Sequence, residues 1–223
     1  MNAAAVTLTP VFATPFATLP LQVPGAVDGS LAALLEAWAT GEHRDSETRP
    51  DPLCHRSRED LFESTDERIA VLRREMLGGL AAAALATSLA RQEEFEKLQV
   101  RARARVAVIR PDGCLPAVSL PLASWCAIYC AAAPPASGER ALSGVLRLYE
   151  PRLGRMFLDG ANWQLRPPFA SGHHTWRPVP GHMAAFPAWV THEIAVNRSD
   201  RDLVLVIARA RFANPGPEAG PPW

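Results

Sequence analysis

The chain of 223 residues carries 23 basic and 23 acidic side chains, a formal net charge of zero, and 48% hydrophobic residues. That balance gives no sign of a nucleic-acid or other polyanionic partner, and it supplies enough apolar side chain for a buried core. No run approaches the roughly 20 apolar residues that a membrane-spanning helix needs, so no membrane contact is expected.

From Met1 to Val27 there is no basic leader segment, and the apolar residues are interrupted by Pro10, Pro15, Pro20 and Pro24. This is no export signal, so the expectation is a cytoplasmic protein whose Cys54, Cys114, Cys126 and Cys130 stay reduced. Leu31, Leu34, Leu35 and Trp38 then fall on one helical face, with Gly41 as a C-terminal stop. A polar connection from Glu42 to Pro52 follows, and His43 and His55 are read as solvated. Ser64 and Glu67 form a capping-box signature ahead of the apolar stripe Ile69, Leu72, Met76, Leu77 and Leu80. This is the strongest helix signal, and Ala81 to Leu89 extends it. Gly78-Gly79 inside it costs about 1 kcal/mol per Gly relative to Ala, which points to close packing or a kink.

From Val100 the pattern changes to strands. The segments are Val100 to Ile109, Trp125 to Cys130, Val145 to Tyr149, Met183 to Phe186, Thr191 to Val196 and Leu203 to Phe212. Turn clusters at Pro111-Asp-Gly113, Pro134-Pro135 and Pro178 to Gly181 separate them. Arg101, Arg103 and Arg105 share one strand face, read as a solvated edge in preference to a nucleic-acid surface. Cys126 and Cys130 also share a face, but about 13 Å apart at strand rise, too far for one ion; they are read as small buried residues. His173 and His174 fall in a loop. The fold class is α+β, mainly β: a double-stranded β-helix, the jelly-roll or cupin-like core, with an N-terminal helical layer. One structural domain is expected, with a helical buttress over 1–99, the jelly-roll core over 100–213 and a Pro- and Gly-rich tail over 214–223.

Three segments carry a resemblance to a known family. They are Phe12-Ala-Thr14-Pro15-Phe16, then Ser143-Gly-Val-Leu146-Arg-Leu148-Tyr-Glu-Pro151-Arg152, and last Gly181-His-Met-Ala-Ala-Phe186-Pro187-Ala-Trp189-Val-Thr-His192. Their order and motifs resemble those of the small bacterial 2-oxoglutarate/Fe(II)-dependent oxygenases. The resemblance implies a jelly roll in which two histidines and a carboxylate hold Fe(II) beside 2-oxoglutarate. It makes His192 the closing metal ligand and Arg201 the candidate fork for the distal carboxylate of 2-oxoglutarate, although one residue off the expected register. After the turn Arg110-Pro111-Asp112-Gly113, it places Val118 and Leu120 where the other two ligands belong. Neither side chain can donate to a metal, so the site is degenerate.

Cleft-lining candidates are Trp125, Tyr129, His182 and Trp189. Trp163 and Trp176 are read as core or rim aromatics. A rebuilt metal site from His182 and His192 needs their strands paired with both side chains inward, and no spacing requires it. Asp159 and Glu193 have no partner at known distance, and neither a Ser/His/Asp triad nor a phosphate loop is present. No catalytic residue is assigned. The expected function is an oxygenase-like protein with no cofactor, acting as a binding or assembly partner through a protein partner, a homodimer contact, or a small-molecule or peptide ligand. The alternative is an active hydroxylase using Fe(II) and 2-oxoglutarate with unorthodox ligands.

Overall fold

The computed structural model describes residues 13–47, 51–120, 122–135, 142–151, 165 and 172–214. Strand β1 (Ala17–Pro20) leads into helix α1 (Ser30–Thr40), then β2 (Cys54–Arg56), a 3-10 turn at Leu61–Glu63, helix α2 (Glu67–Ala86) and the short α3 (Gln92–Phe95). Eight strands follow: β3 (Gln99–Ile109), β4 (Leu115–Val118), β5 (Trp125–Ala132), β6 (Leu146–Tyr149), β7 (His173–Trp176), β8 (His182–Pro187), β9 (His192–Ile194) and β10 (Leu203–Ala213).

The strands form two antiparallel sheets, one in the order β1-β8-β5-β10-β3-β2 and the other β4-β9-β6-β7. The large sheet is buried on both faces. One face packs Trp125, Ala127, Tyr129, Val106 and Met183 against Leu31, Leu35, Leu72, Met76 and Leu80 of α1 and α2. The other packs Cys126, Ile128, Phe186, Leu205 and Ile207 against Leu115, Leu146, Leu148 and Ile194 of the small sheet. This is the expected jelly roll with its helical buttress. Each fully buried Leu or Ile contributes about 1.5–3 kcal/mol, so the two cores together hold the sheets in place.

Helix α1 ends at Gly41, whose N–H donates to the Ala37 carbonyl, as the periodicity predicts. Two details of α2 differ. Its N-cap is Asp66, which accepts from the Arg68 N–H, while Ser64 Oγ accepts from the Asp66 N–H one step earlier. The helix also stops at Ala86, where Thr87 bonds back to the Ala84 carbonyl, short of Leu89. Gly79 is a close approach: a Cβ there would stand 2.5 Å from Met183 Cε and 2.9 Å from Leu19 Cδ1, whereas Gly78 faces open space.

Strands β1, β2, β4 and β7 were not predicted. His173 and His174 belong to β7 and pair with Tyr149 and Leu148, and His174 meets the Phe16 ring edge-on at 4.7 Å. His43 is not simply solvated either. It stacks on Trp38 at 3.5 Å and its Nδ1 lies 2.9 Å from Asp60 Oδ2. Phe12, Arg152, Asp159, Trp163 and the tail from 215 lie outside the described residues.

Candidate functional site

The turn from Pro187 to Val190, closed by the Val190 N–H on the Pro187 carbonyl, delivers His192 to the start of β9 with only 4% of its surface exposed. Nδ1 lies 2.9 Å from the Val190 carbonyl oxygen. A carbonyl only accepts, so Nδ1 carries the proton and Nε2 keeps its lone pair. That lone pair faces Cys126 Sγ at 4.0 Å, and the Phe186 ring meets the imidazole edge-on at 4.9 Å. Burial holds the imidazole below its ordinary pKa; the bond to Val190 opposes this, and the Arg105 charge adds to it. His192 is therefore neutral near pH 7.

His192 opens onto a cavity of about 220 Å³. Its apolar walls are Leu115, Val118, Leu120, Ile128, Ile194 and Ile207, and its polar contribution comes from Arg56, Arg105 and the Glu193 position. Val118 is the direct ladder partner of His192 across β4 and β9. The register shift between Leu115 and Val118 is what lets both residues look into the same space. Glu193 itself pairs with Arg147 at 2.9 Å.

A ferrous ion with two histidines and a carboxylate needs three donors converging on one point. This cavity offers one imidazole nitrogen and, next to it, a thiol whose pKa burial pushes up to about 12. Among the described residues no group of three His, Cys, Asp or Glu side chains could hold a metal ion. The described donor set does not fit Fe(II). Nor does the Cys126–His192 pair make a nucleophile, because a reactive cysteine needs a lowered pKa and this one is raised.

The other expected residues are dispersed. Trp125 and Tyr129 alternate with Cys126 and Ile128 along β5 and face the helices, on the opposite side of the sheet from the cavity. His182 starts β8, paired with Pro20, four residues and so about 13 Å of strand from Phe186; it does not share a site with His192. Trp189 projects from the turn with 50% of its surface exposed.

Arg201 is exposed in the turn before β10, its carbonyl held by Asn197 Nδ2 and Ser199 Oγ. From there to Ile207 at the cavity is six residues, about 20 Å of strand. The inward row between them is Leu203 and Leu205, both buried. The carboxylate-fork assignment for Arg201 is therefore corrected: the residue is a surface charge.

The sequence reading missed Arg56 and Arg105. Arg105 belongs to a strand flanked by β10 and β2, not to an edge, and its side chain lies on the inward face with Ala107 and Ile109. The parity of Arg101, Arg103 and Arg105 with those two residues was the available signal. It could not be read because Val106 to Ile109 are apolar and buried on both faces.

No protein-family model matches the sequence, and no curated protein is significantly similar to it. Among solved structures, the chain is similar to a Pseudomonas putida prolyl-4-hydroxylase at 13% identity, covering 89% of this chain and 92% of that one, with a TM-score of 0.52. It is also similar to the non-heme alpha ketoglutarate dependent carbocyclase SnoK from nogalamycin biosynthesis at 15% identity, covering 91% and 83%, with a TM-score of 0.58. A third is the epimerase SnoN in complex with Fe3+, alpha ketoglutarate and nogalamycin RO, at 14% identity, covering 94% and 89%, with a TM-score of 0.56. At these identities the likeness is one of fold. The jelly roll of this chain is that of the 2-oxoglutarate/Fe(II) oxygenases.

Proposed function

We propose that this chain is a non-catalytic binding protein built on the oxygenase jelly roll, with a cavity at His192 that receives a ligand where the family resemblance would put a metal. The observation that carries the reading is the pairing of Val118 with His192 at the cavity, with Leu120 beside them. Two aliphatic side chains occupy the places that the resemblance assigns to metal donors. They add apolar surface to a space that is already mostly apolar, which favours binding over coordination. Leu203 and Leu205 extend the same apolar surface along the inward row of β10.

On this reading the chain's own residues do three things. His192, neutral and tied to Val190, offers one acceptor nitrogen in an otherwise apolar wall. Arg56 and Arg105 place cationic donors at the cavity. The apolar walls exclude water from whatever enters. The test is a succinate-release assay with 2-oxoglutarate and ferrous iron, alongside metal analysis of the purified protein. No turnover and no stoichiometric iron are expected. Turnover with one equivalent of iron would establish the active-hydroxylase alternative instead.

A further inference from the structure

The cavity at His192 has an inner and an outer end. Ile128, Ile194, Ile207 and the imidazole itself are buried, whereas Ala117 and Val118 of the edge strand β4 are exposed and mark the mouth. Nδ1 of His192 is committed to the Val190 carbonyl, which leaves Nε2 as the acceptor of the ring. Among the described residues the polar contact of Nε2 is the Cys126 thiol at 4.0 Å, a weak donor at the limit of reach. Ile128 follows Cys126 on the inward row of β5 and lines the cavity, so a ligand seated at the inner end meets this edge of the ring.

Such a nitrogen calls for a donor. A carboxylate or phosphate offers only lone pairs at neutral pH and would set them against the lone pair of Nε2. An ammonium donates, but Arg56 and Arg105 line the same space of about 220 Å³, and the Arg105 charge already acts on the imidazole. A further cation there meets like charge between aliphatic walls that cannot solvate it. The simplest group that donates without adding charge is a hydroxyl.

We propose that the His192 cavity takes a small, uncharged, hydroxyl-bearing apolar molecule, a phenol or alcohol, whose O–H donates to His192 Nε2 and whose hydrocarbon body lies against Ile128, Ile207, Val118 and Leu120. This rests on the reading of that cavity as a binding site and names the ligand class. A hydrocarbon of the same shape strips water from Nε2 on entry and gives it no partner in return, and leaving a buried acceptor unsatisfied is costly. The hydroxyl supplies that partner, and the apolar walls bury the remainder of the molecule.

The experiment is isothermal titration of the full, chelator-treated chain at pH 7.5 with p-cresol, with p-xylene, in which a methyl group replaces the hydroxyl, with the p-toluate anion and with 4-methylbenzylammonium. The cresol should bind about fivefold more tightly than each of the other three. His192→Phe keeps a ring in place and removes the acceptor, so it should abolish the preference for p-cresol over p-xylene while both still bind. Leu120→Trp narrows the cavity and should weaken both. Should His192→Phe fail to fold, the comparison of p-cresol with p-xylene on the parent chain decides alone. The proposal is overturned if p-cresol gives no saturable binding, if p-xylene, the toluate or the ammonium binds as tightly, or if His192→Phe retains the preference. Saturable p-xylene binding without a preference for the cresol would overturn the hydroxyl class alone, and the iron and succinate tests bear on the binding-protein reading independently.

Discussion

Val118 and His192 stand opposite each other in the β4–β9 ladder and open onto one cavity, with Leu120 completing the same wall. The imidazole thus meets the cavity beside two aliphatic side chains, with the Cys126 thiol at 4.0 Å and the Phe186 ring edge-on to it. If that substitution of donors is what removes the metal, restoring them should bring it back.

The double variant Val118→His, Leu120→Asp should bind Co(II) more than about tenfold tighter than the parent chain, because three donors then converge on one point. Titration followed by the visible d–d absorption of the bound ion measures it. Adding His192→Ala should abolish the gain; a gain that survives would mean the ion sits elsewhere.

Acid should destabilise the fold. Burial holds His192 below the ordinary value of about 6.5, and His55 is lowered in the same way with help from the Arg110 charge. The unfolded chain therefore binds protons that the native chain refuses, and stability falls as pH drops below about 6.5 toward the lowered native values. Urea unfolding at pH 7.5 and pH 5.5 should show the loss. His192→Gln should reduce it, and an unchanged pH slope in that variant would contradict the assignment.

The two adjacent glycines of α2 should respond oppositely. Gly78 faces open space, so Gly78→Ala should stabilise by about 0.5–1 kcal/mol through the helix backbone. At Gly79 a Cβ meets Met183 and Leu19, so Gly79→Val should destabilise by about 1–3 kcal/mol by overpacking. Denaturant midpoints of the two variants decide it.

Cysteine labelling should be selective. Cys54, Cys126 and Cys130 are buried, and desolvation pushes their thiols to about 11, 12 and 12, whereas Cys114 is only half-buried. In native protein at pH 7.5 iodoacetamide should modify Cys114 first, read by peptide mass spectrometry. Rapid modification of Cys126 would show that the imidazole beside it activates the thiol after all.

The parts of this structure that were legible in the sequence are those where one face is apolar and the other is not. Leu31 to Trp38 and Ile69 to Leu80 mark both main helices, and the strand expected over Thr191 to Val196 contains β9, which opens at His192. Strand β5 shows why the cleft residues were not. Both its faces are buried, so nothing in Trp125-Cys-Ala-Ile-Tyr-Cys130 tells which row meets the helices and which meets the barrel. The short strands β2, β4 and β7, of three or four residues, have too little alternation to register. Arg201 failed for a different reason. Its distance from His192 along the chain was near the expected one, but Asn197 and Ser199 hold it in the turn, before the strand begins.

The central claim, that the cavity of His192 binds without iron, is tested most directly by anaerobic titration of the purified chain with ferrous iron and 2-oxoglutarate, following the metal-to-ligand charge-transfer absorption. The account predicts no saturable band at any iron concentration up to a several-fold excess over protein. A band that saturates at one equivalent and disappears in His192→Ala would contradict it.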